Sequence, residues 1–98
     1  MWIIIKYKKN EYNLLLSQIS KQIKNIKIYC PKLTYKKNNK FFTNYILDDY
    51  LFCFHEKFND IKNYSKLKYL KVLNSILEGC SLNQNQILEF INLCKKNE

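Results

Sequence analysis

Apolar residues follow two rhythms along this chain, one of about two residues and one of three to four. Trp2-Ile3-Ile4-Ile5 is a short β-branched run with no helical period, bounded by Lys6-Tyr7-Lys8-Lys9-Asn10. It predicts a buried, central first strand. Tyr12, Leu15, Leu16, Ile19 and Ile23 then recur at three- and four-residue steps, with Gln18, Lys21, Gln22 and Lys24 largely opposite. That is an amphipathic helix, running from Glu11 to Lys24, with Asn10 as its cap and Asn25 closing it in a left-handed conformation. Ile26, Ile28 and Cys30 alternate with Lys27 and Tyr29, giving a second strand. Pro31 lacks a ladder donor and pushes that strand to an edge or a bend.

Leu33-Thr34-Tyr35 leads into Lys36-Lys37-Asn38-Asn39-Lys40, whose charges and paired asparagines suit a hairpin tip rather than a packed element. Much of the aromatic content lies in the next stretch, Phe41 to Phe54, around Asp48-Asp49, a turn signal. Beyond it, Tyr50-Leu51-Phe52-Cys53-Phe54 reads as a strand. Tyr50, Phe52 and Phe54 share one face, Leu51 and Cys53 the other. Both faces are apolar, so this strand is either covered on both sides or shows an aromatic face to a partner.

Ile61, Tyr64, Leu67 and Leu70 suggest a short second helix, and Val72 to Leu77 a last strand ended by Gly79, the only glycine. Asn83 with Gln86 approaches a capping box, and Ile87, Phe90, Ile91 and Cys94 recur at helical spacing from Gln84 to Lys95. The expected order is β-α-β-β-α-β-α. It folds most simply as an α+β domain, an antiparallel sheet flanked by helices with the first and aromatic strands adjacent at its centre.

At 98 residues the chain supports one domain. All 17 basic residues are lysine and the net charge is +9, which fits a polyanionic partner and equally fits AT-rich codon usage. Without arginine, bidentate readers of phosphate and guanine are missing, so sequence-specific nucleic-acid recognition is not expected. Cys30, Cys53, Cys80 and Cys94 contain no Cys-x-x-Cys pair, His55 stands alone, and the start lacks a basic region before its apolar run. These features read as a reduced, cytoplasmic protein with no metal, cofactor or membrane span. Asp48-Asp49 is the one acidic doublet, and no phosphate loop or nucleophile elbow is present. The chain is not expected to be an enzyme or to bind a small-molecule substrate.

Taken together, Trp2-Ile3-Ile4-Ile5 with Lys8 and Glu11, Tyr29-Cys30-Pro31, and Leu47-Asp48-Asp49-Tyr50-Leu51-Phe52 resemble the N-terminal (NGN) domain of NusG-type transcription elongation and antitermination factors, including their RfaH-like paralogues. The likeness covers almost the whole chain, with Val72 to Phe90 corresponding to the tail of the family domain. Asp48 stands where the family usually has Pro, and Asp49 where it has Gly or Asn. The family's C-terminal KOW barrel has no counterpart in these 98 residues, which read as a single NGN-like domain.

The resemblance implies a protein that binds RNA polymerase, its apolar concavity receiving the clamp helices of the largest bacterial subunit and its presence suppressing pausing. Leu47, Tyr50 and Phe52 would make the apolar contact, with Trp2 beneath or beside it. Lys8, Lys9, Lys36, Lys37 and Lys40 would follow the backbone of upstream DNA without reading bases. An inhibitor using the same surface is a further reading, and so is a small basic RNA-binding protein whose aromatic sheet face stacks bases. The last requires Tyr50 and Phe52 open on the sheet, whereas clamp binding requires a hollow.

Overall fold

The computed structural model describes residues 1–97. Six strands and three helices follow one another as β1 (Trp2–Tyr7), α1 (Tyr12–Gln22), β2 (Lys27–Tyr29), β3 (Lys32–Lys37), β4 (Lys40–Tyr45), β5 (Tyr50–Phe54), α2 (Ile61–Lys68), β6 (Leu73–Ile76) and α3 (Gln84–Lys96), with a single 3₁₀ turn at Cys80–Leu82. The fold is α+β. β2, β5, β1 and β6 form an antiparallel sheet in that order, and β3 pairs only with β4. The expected order lacked this separate hairpin, because its strands alternate too weakly to announce a buried face.

β1 and β5 occupy the centre, with Trp2 opposite Phe54, Ile4 opposite Phe52 and Lys6 opposite Tyr50. One sheet face carries Ile3, Ile5, Leu51 and Cys53, all buried together with Leu15 and Ile19 of α1 and Leu67 of α2. Each such Ile or Leu stabilises the fold by roughly 1.5–3 kcal/mol. The other face carries Ile4 and Phe52, and α3 lies on it: the Phe52 and Phe90 ring centroids are 5.9 Å apart, and Ile87 and Ile91 are buried. The middle of the aromatic strand, at Phe52, is therefore covered on both sides, which explains why both of its faces are apolar, while Tyr50 and Phe54 at its ends are only half-buried.

Asparagine marks the turns. Asn10 and Asn25 adopt φ of 68° and 63°, and the hairpin tip Asn38-Asn39 adopts 53° and 63°, the two left-handed residues of a type I′ turn. Asn10 therefore bends the chain before α1 instead of capping it; the residue at the cap position is Glu11, with no side-chain bond. Asn83 likewise makes no capping bond to α3; its side-chain amide instead donates to the Gly79 carbonyl at 2.8 Å. Gly79 sits at φ 80°. Gln84 takes over a structural role, accepting from the Trp2 N–H at 2.8 Å and donating to its carbonyl, so the start of α3 is bolted to β1.

The β3–β4 hairpin is exposed along its whole length. A two-stranded ribbon is marginal alone. Its base is anchored by the Ile46 N–H to the Pro31 carbonyl at 2.9 Å and by Tyr45 against Tyr12, centroids 5.6 Å apart. Tyr35 and Phe42 stack across it at 5.5 Å. None of the four cysteines is in a disulfide, and burial pushes Cys53 and Cys30 up from the usual thiol range, which keeps them protonated. Among the described residues no helix is long and apolar enough to cross a membrane.

Candidate partner-binding groove

α3 covers the far half of β5 and leaves the near half open. Between its first turns and the turn before β5 lies a groove of about 380 Å³, lined by Ile4, Leu47, Tyr50, Phe52, Leu77, Gln86, Ile87 and Phe90. Seven of its eight lining residues are aliphatic or aromatic, Gln86 being the exception. Phe52 forms the floor and is only 2% exposed, held between Phe90 and Tyr29, whose ring lies 6.3 Å away. Tyr50 and Leu47 are half-buried on the rim.

The rim is fixed by the turn Ile46–Asp49. Asp48 adopts a left-handed φ of 56°, which a short polar side chain tolerates without glycine. The Tyr50 N–H donates to the Leu47 carbonyl at 3.1 Å, and the Tyr7 N–H to the Asp49 carbonyl at 2.9 Å. The Tyr7 hydroxyl, from the end of β1, donates to the Asp48 carbonyl at 3.1 Å. Lys6 completes the arrangement, its ammonium 5.6 Å from the Tyr50 ring centroid and 3.9 Å from the Asp49 carboxylate. Tyr50 is thus oriented by a cation on one side and by a braced turn beneath.

Leu47, Tyr50 and Phe52 are brought together in this groove, whereas Trp2 is not. Trp2 pairs with Phe54, its ring 5.2 Å from that one, four residues along β1 from Lys6 and so roughly 13 Å from the Tyr50 end of the sheet. Its partner is the strand terminus and Gln84. Phe52 is a floor residue more than a contact residue. Ile4, Leu77, Ile87 and Phe90 are groove residues that sequence reasoning did not single out, because they come from three separate parts of the chain, β1, the residue after β6 and α3, and none carries a local motif. Tyr7 was read only as part of the segment bounding the first strand, whereas it is the buried last residue of β1, and its bond to Asp48 spans 41 positions.

The five lysines expected on a nucleic-acid backbone divide into two sets. Lys8 and Lys9 are exposed in the β1–α1 connection, and Lys36, Lys37 and Lys40 ring the hairpin tip. A hollow of about 720 Å³ between the hairpin base and that connection includes Lys9, Tyr12, Tyr45 and Asp48. The Lys36 ammonium rests 5.9 Å from the Phe41 ring centroid. Both lysine sets therefore lie at the hairpin end of the sheet.

Burial, reinforced by Cys30, Tyr12, Asp49 and Tyr45, pushes the Tyr7 phenol up to about 12. Unfolded tyrosine ionises near ~10, so between these values the unfolded chain holds fewer protons than the folded one. The contribution is intact below about pH 10 and disappears as pH rises through about 12. Thermal melts at stepped alkaline pH should show this loss in the native sequence and a shallower one in Tyr7→Phe; identical slopes would remove Tyr7 as its source. Comparison with protein-family models, curated proteins and solved structures finds no match to this chain.

Proposed function

We propose that this chain is a NusG-type transcription elongation or antitermination factor that binds RNA polymerase by seating the paired clamp helices of the largest subunit in the Tyr50 groove. The observation that carries the reading is the groove's construction, a buried aromatic floor at Phe52 beneath a half-open rim of Leu47 and Tyr50. Such a hollow suits helix-in-groove recognition, in which apolar side chains at helical spacing fill a concavity. Tyr50 is the anchor type that dominates interfaces, an aromatic body with a polar tip whose ring is already oriented. The mode is binding without catalysis.

Stacking of RNA on the sheet has little surface to use, since α3 covers Phe52 and Ile91 and Phe90 close over the same face. The hairpin stands apart from the groove and offers its tip lysines as backbone contacts. With the clamp helices in the groove, the tip would reach toward upstream DNA. Reversing Lys36, Lys37 and Lys40 to glutamate should lower affinity for a polymerase carrying a DNA scaffold by about 10-fold or more in low salt, with little change for free polymerase. Equal losses in the two forms would discard the backbone contact. The docking itself is tested by co-sedimentation with core polymerase in competition with the isolated clamp-helix coiled coil: displacement supports the reading, and binding that the coiled coil leaves untouched contradicts it.

A further inference from the structure

The end of the sheet away from the hairpin carries a second, larger concentration of charge. A hollow of about 740 Å³ lies among the end of α1, β2, the β5–α2 connection and α2. Six of its fourteen lining residues are lysines, Lys21, Lys24, Lys27, Lys57, Lys62 and Lys66, although lysine makes up only 17 of 98 residues overall. All six are exposed. They face two carboxylates, Glu56 and Asp60, a local excess of four positive charges in a chain whose net charge is +9. Asp60 is engaged elsewhere, accepting from the Lys62 backbone N–H at 3.0 Å as the cap of α2.

Chain topology brings these residues together from four separate segments, and His55 clasps the hollow. Its Nδ1 accepts from the Lys57 N–H at 3.0 Å, so its Nε2 carries the proton and donates to the Lys24 carbonyl at 2.9 Å. That bond ties the α1–β2 connection to the segment after β5. On α2, Lys62 and Lys66 stand one turn apart on the same side, a like-charge spacing that costs helix stability. Gathering such repulsion into one concavity is unfavourable for the isolated fold and favourable only with an anion present.

We propose that this lysine-lined bowl is a binding site for the phosphate backbone of nucleic acid, separate from the hairpin and independent of the groove. Several spaced ammonium groups around a recess match a chain of phosphates better than a single anion. A membrane surface is flat and takes up lysines flanking an inserted apolar face, whereas here the apolar residues, Ile23 and Phe54, form the recess and Lys27 lies 5.7 Å over the Phe54 ring. Lysine supplies point charges rather than planar forks, so the site binds without reading sequence. Because Lys27 pairs opposite Phe54 whereas the hairpin leaves β2 beyond Tyr29, which pairs opposite Phe52, the two basic regions lie at opposite ends of β5. One molecule therefore presents two basic regions, one at each end of β5.

The test uses the full chain and no polymerase, so its outcome is separate from that of the clamp-helix reading. A uridine oligomer and a mixed-sequence duplex, each labelled with fluorescein, are titrated by anisotropy over a range of salt, and vesicles containing phosphatidylserine serve as a third probe. The expected result is that Lys24→Glu, Lys62→Glu and Lys66→Glu combined lower nucleic-acid affinity about 10-fold or more in low salt. The slope of log affinity against log salt should fall by about 2, at roughly 0.7–0.9 per lost phosphate contact. The oligomer that loses more identifies the form bound, single strand or duplex. The matching glutamine variant, with an unchanged circular dichroism spectrum, should show a smaller loss of the same sign. Native affinity and slope in the charge-reversed variant would overturn the proposal, as would a loss confined to the vesicles.

Discussion

Tyr50→Ala should weaken binding to the clamp helices by about 30-fold, the loss of a typical aromatic hot spot of ~2 kcal/mol, while the melting temperature stays close to that of the native sequence. Tyr50 can be lost from the fold at little cost because it sits half-buried at the strand entry, in contact with Lys6 and the turn rather than with the centre of the core. It cannot be lost from the groove so easily, since its ring forms one wall and fixes the opening next to Leu47. Phe in its place should retain most of the affinity, as the hydroxyl is not what fills the hollow. A Tyr50→Ala variant that binds polymerase normally would remove the residue on which the docking geometry rests.

Two positions further on, the same substitution should act on the fold instead. Phe52 is 2% exposed, is flanked by the rings of Tyr29 and Phe90 and sits opposite Ile4 on the central strand. Phe52→Ala opens a cavity beneath α3 and should destabilise the protein by about 3–5 kcal/mol. Small domains hold only about 5–15 kcal/mol in reserve, so the variant should lose much of its denaturation midpoint and much of its soluble yield. Chemical denaturation of the two alanine variants side by side separates the roles: an unchanged midpoint for Phe52→Ala would mean that α3 does not rest on that ring.

The central pair of strands was legible in the sequence because Trp2–Ile5 and Tyr50–Phe54 are continuous apolar runs, and continuous runs are what a strand covered on both faces requires. α1 and α3 were legible through their three- and four-residue spacing, and Asn25 and Gly79 through their tolerance of left-handed backbone. The β3–β4 hairpin was recognisable only at its tip, since exposed strands have no burial pattern to betray them. The capping roles expected of Asn10 and Asn83 failed for a shared reason: in both, a side chain or backbone that suits a cap suits a neighbouring turn equally well.

For the groove, the sequence pointed to the turn-to-strand segment that supplies Leu47, Tyr50 and Phe52, because those residues lie within one stretch from Leu47 to Phe52. It misplaced Trp2, whose distance from Tyr50 follows from the antiparallel register of β1 and β5, a long-range property. The walls contributed by Ile4, Leu77, Ile87 and Phe90 come from three other parts of the chain and become visible only when α3 is placed on the sheet. The lysine bowl was hidden in the same way, its charges spread from Lys21 to Lys66 among many others.

The most direct measurement is a nuclear magnetic resonance titration of isotope-labelled protein with the isolated clamp-helix coiled coil. Shift changes should concentrate on the methyl groups of Ile4, Leu47, Leu77 and Ile87 and on the rings of Tyr50 and Phe90, and in Tyr50→Ala should need about 30-fold more coiled coil to reach the same size. Changes confined to the hairpin or to the lysine bowl, with the groove methyls unmoved, would contradict the account.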